Sequence, residues 1–167
     1  MVHRAASGLI AVMLCIGCAP QAGPSRPTVT ASPMSSASEL AGGCGTTSIH
    51  QGPAPSWFRP QGAPDNLPYA LASPETAAAD LWAFPLRAGH PLGPANKIMW
   101  VLKGTFSETL QLTIHPTAAE APLITDSLAP AGHVYPSIED VPTPGCWRFE
   151  LITSGQHWTI DLAYIQP

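Results

Sequence analysis

Proline occurs 20 times in this chain of 167 residues, distributed from Pro20 to Pro167, and that removes most helical folds from consideration. Proline has no amide hydrogen and a fixed φ, so it breaks helix interiors and central strands alike. With 14 glycines it fills about a fifth of the positions. Such a chain favours short strands joined by many turns.

The charge balance narrows the partners. Charged residues make up 11% of the chain, against roughly 25% in ordinary soluble domains. The seven Lys and Arg residues are scattered singly and the net charge is −4. Nucleic-acid phosphates need clustered cations, as does a polybasic membrane patch, and neither is written here.

The first residues, Met1-Val2-His3-Arg4, precede an apolar run from Ala5 to Gly17. That run falls short of the ~20 residues a bilayer-crossing helix needs. A charged start, a short apolar stretch and a small-residue exit describe a secretory signal over residues 1–17. The exit, Leu14-Cys15-Ile16-Gly17-Cys18, resembles the lipobox of bacterial lipoproteins, with Cys15 where that family usually has Leu. The resemblance implies a diacylglyceryl group on the Cys18 thiol, cleavage before it, and a membrane partner held through the lipid.

From Ala19 to Gly43 the chain is almost all Ala, Pro, Ser, Thr and Gly, so residues 18–43 read as a disordered tether. The folded domain is expected over 44–167. Thr46 to Ile49 reads as a first short strand, Gln51 to Pro74 as a long irregular loop, Thr76 to Asp80 as one helical turn, and Leu81 to Leu86 as a strand. Lys97 to Lys103 suits a strand buried on both faces. Thr109 to His115 alternates with Leu110, Leu112 and Ile114 on one side, the mark of a half-buried strand. Trp147, Phe149 and Leu151 share a face, Ser154-Gly155-Gln156 marks a hairpin connection, and Trp158, Ile160, Leu162 and Tyr164 point inward. Trp100, Trp147 and Trp158 are assigned to the core. Paired strands with turn signals between them predict an all-β fold, an antiparallel β-sandwich.

An export signal places Cys44 and Cys146 in an oxidising compartment, where an even pair means a disulfide closing a loop of about a hundred residues. The metal or redox alternative would show a short spacing such as C-x-x-C, which Cys44 and Cys146 do not have.

Segments of the C-terminal half resemble an uncharacterised family of bacterial exported β-domains. They are Lys97 with Trp100, Leu112-Thr113-Ile114, Tyr135-Pro136-Ser137 and Pro144-Gly145-Cys146-Trp147. The resemblance covers residues 97–165 and implies an immunoglobulin-like fold and an extracytoplasmic location. It implies no activity.

Candidate chemistry is sparse. His3, His50, His90, His115, His133 and His157 show no metal-ligand spacing and read as exposed singles, so no metal or cofactor is expected. Ser154 with His157 sits in the hairpin and lacks a nucleophile elbow. Of the carboxylates Glu108, Glu139 and Asp140, the last two read as an exposed turn. Trp57, Phe58 and Arg59, in the proline-rich loop, are the residue types that anchor interfaces, the alternative being that Trp57 folds back to cap the sheet. The function expected is a non-enzymatic binding module for an envelope protein or cell-surface component. An accessory subunit of an envelope assembly and a small hydrolase with a dispersed site are the alternatives.

Overall fold

The computed structural model describes residues 36–59, 64–89, 95–119 and 123–167. The expected signal peptide, Cys18 and most of the expected tether lie outside these residues. The described part is all-β. Its strands are β1 (Ser38–Cys44), β2 (Thr47–Gln51), β3 (Tyr69–Leu71), β4 (Ala77–Leu81) and β5 (Lys97–Leu102), followed by β6 (Leu110–Pro116), β7 (Ile124–Leu128), β8 (Val134–Ile138), β9 (Gly145–Thr153) and β10 (Gln156–Tyr164).

All neighbours pair antiparallel, in the order β7-β6-β9-β10-β1-β2-β3-β4-β5-β8. The ends of this order, β7 and β8, come back into contact, so the ten-stranded sheet nearly closes into a barrel. β1 joins the two halves, pairing with β2 along its length and with β10 only at Gly43↔Leu162. The corner is made at Gly42-Gly43: Gly42 has φ +118, and a Cβ on Gly43 would sit 2.4 Å from the Thr47 carbonyl oxygen. A bulge between Leu40 and Cys44 accompanies the bend.

Register explains the core. One inward row runs across six strands as Leu40, Ile49, Ala70, Ala79, Trp100 and Tyr135. The two alanines leave room beside Trp100, whose ring lies 5.2 Å from that of Phe149 in β9. From the other half come Leu112, Ile114, Leu151, Trp158 and Ile160, all buried. The three core tryptophans are where the alternation expects them, and each indole N–H is bonded. Trp100 donates to Ser137 Oγ (2.8 Å), Trp147 to the Thr143 carbonyl (2.9 Å) and Trp158 to Thr76 Oγ1 (2.8 Å).

Several boundaries differ from the sequence expectation. Residues 38–43, expected in the tether, form most of β1, because pairing with β2 supplies what their weak apolar pattern does not. β3 lies inside the segment expected to be irregular. The helical turn expected over Thr76 to Asp80 is instead strand β4, which ends at Leu81, so the strand expected over Leu81 to Leu86 does not form. Alanine favours helix in isolation, but here Ala77 to Ala79 are wholly buried between two strands.

The Cys44–Cys146 disulfide is formed, with a Cα–Cα distance of 5.8 Å and a sequence separation of 102. It fastens the end of β1 to the start of β9, across the corner where only one residue pair joins the halves.

β8 has a partner on one side only. Glu139 N–H donates to the Asn96 carbonyl (3.1 Å), which sets the register so that Ser137 and Tyr135 also face β5. The backbone of Pro136 therefore faces away from β5, where a missing N–H takes no bond from the sheet.

Candidate functional site

A second row of side chains crosses the outer face of the same strands: Glu39, His50, Tyr69, Asp80, Met99 and Pro136. Pro53 to Arg59, in the segment between β2 and β3, lie on this face. Phe58 is 0% exposed and packs with Tyr69, Ala78, Val101 and Val134 in a small second core. The rings of Phe58 and Tyr69 are 5.2 Å apart, and those of His50 and Tyr69 5.4 Å.

Trp57 is half-buried at the margin of this cluster, 6.0 Å from the Phe58 ring. Arg59 is held beneath the loop. Its guanidinium donates to the Asp65 carbonyl and to the Leu67 carbonyl (2.7 Å), and it lies 5.6 Å from the Tyr69 ring centre. Tyr69 Oη donates to the Pro53 carbonyl (3.0 Å). The Trp57-Phe58-Arg59 triplet is thus split by the structure: Phe58 is an internal anchor, Arg59 splints the loop, and Trp57 alone contributes aromatic surface.

Asp80 is the unforeseen member. It is 0% exposed, and neither carboxylate oxygen has a hydrogen-bond partner. Burial raises its pKa to about 6, partly offset by the positive charge of Arg59. Arg59 Nε is likewise buried without a partner. A buried carboxylate without hydrogen-bond donors is costly to charge, and the unpaired Arg59 Nε adds a second unsatisfied group on the same face. The sequence carried one signal for this: a single acid inside the otherwise apolar Ala77 to Leu81 run.

Two open clefts flank the row. One, of about 420 Å³, lies among Pro53, Pro55, Ser56, Arg59 and Asp65. The other, of about 340 Å³, is lined by Thr46, Ser48, His50, Ser73 and Glu75. The second is rich in hydroxyls, which can both donate and accept hydrogen bonds.

Two expectations about polar residues are corrected. Glu139, expected in an exposed turn, is 3% exposed. Burial raises its pKa to about 7, opposed by a hydrogen bond from Ser137 and reinforced by Asp126 and Asp140. The neighbouring Asp140 accepts from Asn96 Nδ2 (2.8 Å), and Tyr164 Oη donates to the Glu139 carbonyl (3.0 Å). His115 faces outward as expected but is buried, its Nε2 3.7 Å from Glu150 of β9 and its Nδ1 3.0 Å from the Pro116 carbonyl.

Among the described residues, no group of three His, Cys, Asp or Glu is arranged to hold a metal ion. Cys18 lies outside the described residues. No family model matches this chain, and neither the curated proteins nor the solved structures compared with it contain a match.

Proposed function

We propose that this chain is an exported lipoprotein, anchored through Cys18, whose β-domain is a non-catalytic binding module for an envelope protein or cell-surface component. The observation that carries the binding reading is the stretch over the outer face: Phe58 and Arg59 fix it to the sheet while Trp57, half-buried beside Phe58, keeps part of its ring at the surface. A stretch already held in place, as residues 57–59 are, loses little entropy when it presents one aromatic side chain to a partner. The Cys44–Cys146 bond supports export, since such bonds persist in oxidising compartments.

The domain is further proposed to be an immunoglobulin-like sandwich. The strand order supports this: β2-β3-β4-β5-β8 forms one side and β7-β6-β9-β10 the other, with β1 between them. The chain changes sides between β5 and β6, β7 and β8, and β8 and β9, as in Greek-key sandwiches.

Two measurements test the reading. In the native host, wild-type protein should fractionate with membranes and carry acyl mass on Cys18, while Cys18→Ala should be released. Equal membrane retention of the variant removes the anchor. A photo-crosslinking residue at Trp57 should give a discrete adduct in native envelopes that the same residue at exposed Gln111 does not. Identical patterns from both positions reject the loop as the binding surface.

A further inference from the structure

Five large apolar side chains are exposed among the described residues, and they are not scattered. Trp82 (41%), Leu123 (59%), Ile138 (59%) and Ile165 (42%) lie at one end of the barrel, and Ile152 (39%) at the other. Antiparallel pairing fixes this placement: β4, β8 and β10 end where β5 and β7 begin. Trp82, Lys97 and Ile138 form one row across three strands, since Trp82 N–H donates to the Lys97 carbonyl (3.0 Å) and Lys97 pairs with Ile138.

Lys97 Nζ sits 4.5 Å from the centre of the Trp82 ring, a cation held on an exposed aromatic face. Beside it an open cavity of about 460 Å³ is bounded by Lys97, Pro136, Ser137 and Ile138. The other cation at this end is Arg87, which donates to the Gln166 carbonyl (3.1 Å). Of the acids nearby, Glu139 is buried, Asp140 is bonded to Asn96, Glu39 accepts from Ser48, and Asp126 is exposed on β7.

The chain also enters the sheet at this end, because β1 begins beside the end of β2, at Ser38↔Gln51. A lipid on Cys18 would therefore draw this end, rather than the Ile152 end, toward the bilayer. Tryptophan with a neighbouring lysine suits the zone where acyl chains meet headgroups, the ring body in the apolar layer and the ammonium among phosphates.

We propose that this end of the barrel, through Trp82, Lys97 and Ile138, rests on a phospholipid surface. The inference builds on the anchoring reading of Cys18, and adds to it an orientation: the domain lies against the membrane by this end and leaves the Trp57 loop at its side.

The test uses the purified full chain in vesicles of phosphatidylcholine and phosphatidylglycerol whose acyl chains carry bromine, which quenches only tryptophans close to the acyl region. Quenching should be largely lost in W82F and retained in W57F, whose ring packs over the Ala78, Val101 and Val134 cluster instead. Replacing Ile138 by Ser should weaken it several-fold, and Ile152→Ser should leave it unchanged. Quenching equal in W82F and wild type overturns the proposal. Intact mass separates the two readings. Acylated protein without Trp82-dependent quenching defeats the docked orientation alone. Trp82-dependent quenching on an unacylated chain upholds the lipid-facing end and defeats the anchor.

Discussion

Asp80 stands directly opposite Tyr69 across β4 and β3, wholly buried, with both carboxylate oxygens unbonded. Burial raises its pKa to about 6, and that of Glu139 to about 7. A carboxyl whose pKa is raised by folding binds its proton more tightly in the native state. Its stabilising contribution is complete below the unfolded pKa and is lost as pH rises through the folded one. The protein should therefore be more stable near pH 4.5 than near pH 8, with the loss concentrated between about pH 4 and pH 8. Asp80→Asn should raise stability by about 2 kcal/mol at pH 8 and change it little at pH 4.5. Urea denaturation at the two pH values decides this, and an equal effect at both would show that Asp80 is not a buried titrating group.

Phe58 and Trp57 are neighbours in sequence with different expected costs. Phe58→Ala empties a fully buried site and should cost about 3–5 kcal/mol. Trp57→Ala removes a half-buried ring from the margin of the same cluster and should cost about 1 kcal/mol. Thermal melts of both variants measure the difference. If Trp57→Ala proved the more damaging, Trp57 would be part of the core and unavailable as a binding side chain.

Gly45 has φ +59, and a Cβ there would lie 2.1 Å from Asp161 Oδ2. Asp161 cannot retreat easily: Arg148 holds both its oxygens (2.8 and 3.0 Å), and its own N–H donates to Thr47 Oγ1 (2.9 Å). Gly132 has φ +73 with nothing near the added Cβ. Gly132→Ala should cost about 1 kcal/mol, the backbone penalty alone, and Gly45→Ala at least twice that. Equal losses in chemical denaturation would mean that the turn and Asp161 move apart freely.

Removing the disulfide with Cys146→Ser should lower the melting temperature by roughly 10 °C. Release of a loop of 102 residues corresponds to about 4.7 kcal/mol in the chain-entropy account, and cross-links commonly deliver less than that. The same fall should follow reduction of the wild-type protein. An unchanged transition would show that the single Gly43↔Leu162 pair already fixes the corner.

The legible strands were those whose side chains alternate sharply. β6, β9 and β10 carry large apolar residues at every second position over seven to nine residues, and their inward sets are buried as the pattern requires. β1 was illegible because its strand state comes from partners: Ser38–Cys44 buries no side chain fully, and four of its seven residues are glycine, alanine or serine. β4 was misread because alanine carries no β signal of its own, and only the bulk of Trp100 opposite Ala79 makes small residues necessary there. At the candidate site, Trp57 and Arg59 could be picked out by residue type. Their roles could not, since the row joining His50, Tyr69 and Asp80 is assembled from strands distant in sequence.

Pro136 gives the open seam between β7 and β8 a meaning for crowded surroundings. Molecules confined to one surface meet edge to edge far more often than the same number in bulk solution. A strand offering a regular ladder of donors would then recruit its neighbours into a growing sheet. Because Pro136 interrupts that ladder at the middle of β8, each molecule can pass another without adding to it, so the barrel need not be sealed for the population to stay dispersed.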